Sequence, residues 1–301
     1  MKEKQDTLKY SEVRVERLDI FVTENYPEHS RNLIQNLIKK GQITVNGKAV
    51  KPSYSLEEND EIKITWPSVK NTLNIKDLII FEDKNFFVIN KPAGLLVHPQ
   101  SSAWEENKTV LFASEETLVS AIYANPPANF DKNMPRLGLV HRLDKETSGI
   151  MLVAKNERFQ SAMTEMFANR EVHKTYNAIC CGEMPQKEGL IDVPIGREAG
   201  GRIKASPVGR EALTEFKVKQ QKSKFYWVEL HPITGRTNQL RVHLNWLGCP
   251  VLGDWLYKGA TAPRLMLHAR KIKFKNPITH RQECFEVKPP KDFLDAWKNL
   301  N

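Results

Sequence analysis

The chain has 301 residues, with 45 Lys and Arg against 36 Asp and Glu, for a net charge of +9. That length suits roughly two domains, and 40% apolar with 9% aromatic residues excludes wholesale disorder. No run of ~18 apolar residues occurs, so no membrane partner is expected, and the start MKEKQDTLKY lacks the apolar stretch of a secretory signal. Four cysteines without a CxxC pair argue against a structural zinc site, and free thiols fit a reducing, cytoplasmic setting. Charge is uneven. Residues 1–70 carry twelve basic and eleven acidic groups, whereas 197–241 carries ten basic and four acidic ones. Such density suits a polyanion-binding face, and it also suits mere solubility.

Residues 13–66 read as a small self-contained unit. Arg14–Val22 is amphipathic, with Val15, Leu18, Phe21 and Val22 at helical spacing. Ser30 stands to cap a helix running to Lys40, with Leu33, Ile34, Leu37 and Ile38 as its apolar stripe and Gly41 as its stop. Asn46-Gly47 between Ile43–Val45 and Lys48–Val50 is a strong hairpin signal, and Ile62 and Ile64 alternate in a closing strand. Between His29 and Leu56 lie five basic residues (Arg31, Lys39, Lys40, Lys48, Lys51) and no acid. The Arg17-Leu18-Asp19 opening, the Ser30-Arg31 helix start and the Val45-Asn46-Gly47 hairpin resemble the small RNA-binding domain named after ribosomal small-subunit protein four. The resemblance implies a helix–hairpin surface that contacts RNA through Arg31, Lys39 and Lys40.

The polar stretch 67–76 fits a linker, which leaves 77–301 as the second domain. There Phe86–Ile89 reads as a strand ending at a Lys91-Pro92-Ala93-Gly94 turn. Val140–His141 and Ile150–Val153 read as short strands around a polar loop. Asn156 can cap a helix to Arg170. His173–Ile179, Ala212–Val218 and Phe225–Leu230 alternate as strands, and Thr237–Leu247 reads as a helix with Leu240 and Leu244 inward. Arg264–His268, Ile272–Phe274 and Cys284–Val287 add strands before a short closing helix at Lys291–Leu300. Strands following strands with few crossover helices predict an α+β domain on a mixed, largely antiparallel sheet with flanking helices. Glycine-rich phosphate loops are absent, so no nucleotide cofactor is expected.

The loop Leu139–Gly149 is the densest polar cluster in the chain. Asp144 has Arg142 and Lys145 close by, and cations favour an ionised carboxylate. That group can serve as nucleophile or base, or it can be half of a solvated ion pair; spacing alone leaves both open. His98, His141, His231 and His268 show no HxxxH pairing and read as structural, so no metal is expected.

His141-Arg142-Leu143-Asp144-Lys145-Glu146-Thr147-Ser148-Gly149 resembles the signature of the pseudouridine synthases of the ribosomal large-subunit branch. Further blocks follow in the family's order: Asn90–Gly94, His173–Tyr176, His231–His243, Gly253–Tyr257 and Leu267–Ala269. The resemblance implies a cofactor-free isomerisation in which uracil leaves ribose carbon 1′ through nitrogen 1, turns, and rejoins through carbon 5. Asp144 matches the catalytic aspartate, as nucleophile or as the base of a glycal route. Tyr176 matches a tyrosine that stacks on uracil and helps remove the carbon-5 proton, and Arg241 a basic partner of the aspartate. Arg142 matches the residue that fills the vacated stack. Leu267 matches an apolar residue against the base, though core packing fits as well, and Arg236 belongs to the basic stretch expected to hold phosphates. Three departures stand out: Leu137 where members often have proline, Thr237-Asn238 where Thr-His is usual, and the long segment Gln100–Thr117. The expected partner is RNA, most of all large-subunit ribosomal RNA, bound by a cytoplasmic monomer. A transfer-RNA substrate, or a non-catalytic ribosome-assembly factor of the same fold, are the rival expectations.

Overall fold

The computed structural model describes residues 5–12, 15–27, 29, 31–66, 73–99, 101–112, 115–198 and 201–300. Two compact units appear: Met1–Ile75 with His98–Pro126, and Lys76–Val97 with Pro127–Asn301. The segment 98–126 thus groups with the first unit, although it lies within the span read from sequence as the second domain. One tie inside the first unit is the Leu73 N–H donating to Glu116 Oε1 at 2.9 Å. The expected cap Ser30 and most of the expected linker (67–72) lie outside the described residues.

In the first unit, strands β1 (Gln5–Lys9), β3 (Ile43–Val45), β4 (Lys48–Ala49) and β6 (Glu61–Thr65) form an antiparallel sheet in the order β1-β6-β3-β4, while β2 (Glu16–Arg17) pairs with β5 (Ser55–Leu56). Helices α1 (Leu18–Asn25) and α2 (Arg31–Lys39) pack beside this sheet. Asn46 and Gly47 both have positive φ, 51° and 74°, the pairing a two-residue hairpin requires. Gly41 stops α2 as expected: its N–H donates to Ile38 O and that of Gln42 to Leu37 O, the double closure of a left-handed cap. Ile34, Leu37 and Ile38 are buried against Ile43, Ile62 and Ile64, each side chain contributing roughly 1.5–3 kcal/mol relative to exposure. One element differs from expectation. Val15 lies outside α1 and is exposed, because residues 16–17 pair as strand with Ser55–Leu56 and the helix starts only at Leu18.

The second unit is built on one large sheet. Its strands are β7 (Ile79–Glu82), β8 (Phe86–Lys91), β9 (Ser148–Ala154), β10 (His173–Cys181), β11 (Glu188–Asp192), β14 (Leu213–Lys222), β15 (Phe225–Pro232), β16 (Leu267–Lys275) and β17 (Gln282–Glu286). A small hairpin, β12 (Ile195–Arg197) with β13 (Ile203–Ala205), stands apart from it. The sheet runs β11-β14-β15-β10-β16-β9-β8-β7, with β17 also on β16. Every pairing is antiparallel except β9 with β16, which is parallel. The α+β expectation is met. Besides the short α3 (Ala103–Glu106) and α4 (Leu118–Ala124) of the first unit, the helices are α5 (Glu157–Ala168), α6 (Gln239–Trp246) and α7 (Lys291–Lys298).

Asn156 caps α5 by accepting from the Phe159 N–H at 3.0 Å, and Phe159 and Met163 pack on Phe86, Val88, Ile150 and Leu152 of the sheet. Leu240 and Leu244 of α6, with Phe293 and Trp297 of α7, cover Ala178, Val228 and Leu230. Two readings need correction. Val140–His141 is not a strand; only Leu139 forms a bridge, to Val153. Residues 267–275 make one strand rather than two, because the ladder absorbs Arg270 as a bulge and resumes at Lys271 on both sides. No helix among the described residues is long and apolar enough to cross a membrane.

Candidate active site

Three neighbouring strands share a row. Gly149 of β9 pairs with Ala269 of β16, and Ala269 pairs with Tyr176 of β10. Gly149 has φ 117°, and a Cβ there would collide with the Ala269 carbonyl, so only glycine lets these strands approach. Opposite Thr175 and Tyr176, β16 carries a bulge at Arg270, which bends that strand beside the row. The polar loop 140–147 feeds directly into β9.

Several contacts fix this loop. The Asp144 carbonyl accepts from the Thr147 N–H at 3.1 Å, closing a turn. The Lys145 carbonyl accepts from the Gly94 N–H at 2.9 Å and from Lys91 Nζ at 3.0 Å. Lys91 is fully buried and also donates to the carbonyls of Pro92 and Leu95, at 2.9 and 2.8 Å. Burial lowers its pKa to about 7, against the pull of Glu146 and Asp144. On the other flank His141 Nε2 accepts from the Leu152 N–H at 2.9 Å, and its ring stacks on Phe167 at 4.8 Å. Burial takes its pKa to about 3, so it stays neutral as that bond requires.

Opposite lies the N-terminal end of α6. Gln239 is buried and ties it down, accepting from the Thr234 hydroxyl and the Arg236 N–H and donating to Leu213 O and Thr214 Oγ1. Arg241 donates to Asp254 through Nε at 2.7 Å and Nη2 at 2.8 Å, a buried bidentate pair. Its third nitrogen, Nη1, donates to Asn238 Oδ1 at 3.2 Å and stands 3.9 Å from Asp144 Oδ2. Asn238 holds φ 55°, a left-handed value that asparagine tolerates, and its Nδ2 donates to the Tyr257 hydroxyl at 3.3 Å. The Tyr257 ring lies 5.2 Å from the Arg241 guanidinium.

These parts enclose a cleft of about 470 Å³. Asp144, Tyr176, Arg241, Arg142, Leu267 and Arg236 all line it, so six residues singled out in sequence meet in one place. Leu267 is both cleft wall and core. Arg31, Lys39 and Lys40 belong to the first unit. Lys39 and Lys40 are exposed there, while Arg31 donates to Asp19 at 3.0 and 3.1 Å. Sequence reasoning did not assign Lys91, Asn238 or Asp254 any role at the site, although each stands in a quoted block. Lys174 was also unassigned; it lines the cleft with a pKa lowered by burial to about 8.

Burial pushes the Asp144 carboxyl above its ordinary value, and Arg241, Arg142 and Lys91 pull it back without cancelling that shift. With 27% of its side chain accessible, it is a carboxylate of strengthened basicity open to the cleft. Burial, reinforced by Asp144, raises the Tyr176 phenol and keeps it protonated. A reactive carboxylate, a flat ring, an anchored guanidinium and an apolar wall suit a planar, polar ligand carrying an electrophilic carbon. Leu137, where proline is common in the resembled family, has φ 49°, a value the proline ring forbids, so this departure comes with its own left-handed turn.

The model of the RNA pseudouridylate synthase family matches residues 85–246, and that of the S4 domain matches 16–62. An uncharacterized RNA pseudouridine synthase of Bacillus subtilis is 33% identical over 300 residues, covering 96% of this chain and 95% of its own. The ribosomal large subunit pseudouridine synthase D of Vibrio cholerae is 34% identical, over 93% of this chain and 90% of its own. Among solved structures, human RNA pseudouridylate synthase domain containing 4 superposes with a TM-score of 0.57 at 28% identity, covering 74% of this chain and 94% of that one.

Proposed function

Since the chain belongs to the RNA pseudouridylate synthase family, with an S4 domain ahead of the catalytic match, we propose that it isomerises uridines of large-subunit ribosomal RNA in the cytoplasm, with Asp144 opening the glycosidic bond. The enzyme class and the RNA partner come with the family; the target and the roles of the residues are the proposal. The observation that carries those roles is the Asp144 carboxylate, raised in pKa and open to a cleft that also holds Tyr176 and Arg241.

A uridine inside folded RNA must first be extruded, at a cost of roughly a few kcal/mol. Arg142, exposed next to Asp144, is suited to fill the gap that is left. In the cleft the uracil stacks on Tyr176 and rests on Leu267. Asp144 either attacks ribose carbon 1′ as nucleophile or takes the carbon-2′ proton, and in both routes the carbon 1′–nitrogen 1 bond breaks. The freed base turns within the cleft, and carbon 5 bonds to carbon 1′ as the Asp144 carboxylate is displaced from it or, in the other route, as the proton is returned to carbon 2′. The carbon-5 proton then leaves. Because the Tyr176 phenol stays protonated, it serves this step by relaying a proton through its hydroxyl, not as a standing phenolate. Arg241, held by Asp254 and Asn238, keeps a cation facing Asp144 without closing a hydrogen bond on it, which leaves the carboxylate oxygens for the ribose. Arg236 and the exposed basic residues of 197–224 meet phosphates, while RNA shape and base contacts select the site.

The large-subunit target is supported by relatives from Vibrio cholerae and Pseudomonas aeruginosa, both named ribosomal large subunit pseudouridine synthase D. Pseudouridine mapping across total RNA of a deletion strain tests it. Defined large-subunit positions should lose the modification and regain it with the wild-type chain, but not with Asp144→Asn. Loss confined to transfer RNA would replace the target, and an unchanged map would remove the proposal.

A further inference from the structure

Trp255 stands out by its exposure. It is 82% accessible, and among the described residues it joins no ring or cation–π contact. A single exposed apolar side chain is ordinary on a protein surface; what sets this one apart is its place in the wall of a cleft. Trp255 lines a second cleft of about 280 Å³, whose other walls are Glu146, Arg241, Arg264 and residues 259–263. Arg241 lines both clefts, so one side chain separates this space from the catalytic one.

The charges here disfavour a phosphate. Arg264 is paired with Asp292 through Nε at 2.5 Å and Nη2 at 2.8 Å, Arg241 is paired with Asp254, and Glu146 adds a carboxylate. A neutral ring with N–H donors suits the site better, and its volume lies just under the usual range for small-ligand pockets, about the scale of one base. A nucleotide neighbouring an extruded uridine is covalently tied to within reach of this cleft, and extrusion has already disturbed its stacking.

We propose that this second cleft is a base subsite, in which an unpaired nucleotide adjoining the target uridine stacks on Trp255 while Glu146 accepts from an exocyclic amine or a ribose hydroxyl. The inference rests on the uridine-isomerising reading, because the occupant is defined by its linkage to that uridine.

The test uses the full-length chain and a fluorescein-labelled RNA heptamer, one uridine between two runs of three adenosines. Trp255→Ala should weaken binding by about tenfold, the scale of one base-stacking interaction, and Trp255→Phe should restore it to within about threefold of wild type because the ring returns. Replacing one of the two adjoining adenosines by an abasic residue should weaken wild-type binding similarly and leave Trp255→Ala unaffected, since both changes remove the same interaction. Unchanged affinity in Trp255→Ala, fully additive losses at both positions, or no heptamer binding by the wild-type chain would each overturn the subsite. Activity on ribosomal RNA keeps the two readings apart. Trp255→Ala should raise KM and retain kcat, whereas a wild-type chain that forms no pseudouridine there would count against the proposed function itself.

Discussion

The tripeptide Arg-Leu-Asp occurs twice, at Arg17-Leu18-Asp19 and at Arg142-Leu143-Asp144, and the two copies fold into opposite electrostatic settings. In both the leucine is buried. Asp19 is fully buried and accepts from Arg17 at 3.0 and 3.2 Å, from Arg31 at 3.0 and 3.1 Å and from Gln35 at 2.6 Å. Burial works to raise its pKa, but the bonds from Arg17, Gln35 and Arg31 outweigh it and leave the carboxyl below 3.8. Asp144 has Arg241 at 3.9 Å, beyond hydrogen-bond reach, and there burial wins. The difference lies in less than an ångström. A carboxylate gripped by guanidinium groups is spent on structure; one that only faces them keeps its oxygens and its basicity for a ligand.

Substituting the two aspartates separates them most sharply. Asp144→Asn should drop activity below detection, read as tritium release from uridine labelled at carbon 5. Stability should move by no more than about 1 kcal/mol, since no core cavity opens. RNA affinity should hold, because a negative charge is removed. Asp19→Asn should leave kcat on saturating RNA unchanged. In the wild type the active carboxylate disappears as pH falls through a raised pKa, so the acid limb of the pH–rate profile should lie above the ordinary aspartate value of 3.8. Residual turnover of Asp144→Asn within about tenfold of wild type would reduce this copy, like the other, to a structural ion pair.

Next in size is Tyr176→Phe, which keeps the stacking ring and removes the hydroxyl. Binding should persist while turnover falls by about 10²–10⁴-fold, the range for removal of a proton-transfer group. The ring also shares a low-dielectric wall with Asp144. An unshifted acid limb in the phenylalanine variant would mean that the hydroxyl acts on the proton alone and not through the carboxylate.

Local chemistry was readable from the chain wherever one or two residues decide it. The Asn46-Gly47 hairpin, the Gly41 stop and the Asn156 cap are of this kind, since each depends on a backbone angle or a side chain a few residues away. Arg14–Val22 and Val140–His141 misled because strand pairing with Ser55–Leu56, and a single bridge to Val153, override local pattern. The cleft draws on residues from 140 to 267, and no periodicity links them, so its members emerged as a set only through the family's blocks. Lys91 and Asp254 are instructive. A lysine before proline and an aspartate after glycine look like turn residues, and only the fold shows one gripping the Lys145 carbonyl and the other holding Arg241 in two bonds.

The stability of the Asp19 cluster gives a smaller effect. Asp19→Asn removes the charge and one of the two acceptor oxygens that Arg17, Arg31 and Gln35 share, but both arginines are about half exposed, at 45% and 48%, and water can replace part of what is lost. A loss of roughly 1–3 kcal/mol by urea titration at neutral pH is expected. Because the folded pKa is lowered, this contribution is present above the unfolded value and disappears as pH falls through the folded one, so the two chains should converge below about 3.8. Asp144, with its raised pKa, has the opposite sign: its charge costs stability at neutral pH, and Asp144→Asn should be neutral or slightly stabilising there. Equal destabilisation by both substitutions would erase the distinction between the copies.

The smallest effect belongs to the exposed lysines that follow the first copy. Arg31 is drawn into the Asp19 cluster, where three charged side chains leave a net charge of only about +1, so the exposed charge of that face lies at the end of α2, at Lys39 and the following Lys40. If these two bind phosphates, Lys39→Gln with Lys40→Gln should flatten the slope of log K against log salt by about 0.7–0.9 for each phosphate no longer neutralised, without touching kcat at saturating RNA. Glutamine keeps helix propensity and side-chain length, so the fold of α2 should survive, as circular dichroism would check. The same double substitution combined with Asp144→Asn should shift affinity by an equal factor, since the lysines are assigned to phosphates and Asp144 to the ribose of the target. A slope that stays fixed would leave the S4 unit to bind through shape or backbone contacts. A fall in kcat would instead make Lys39 and Lys40 part of the chemistry that is here assigned to the second copy alone.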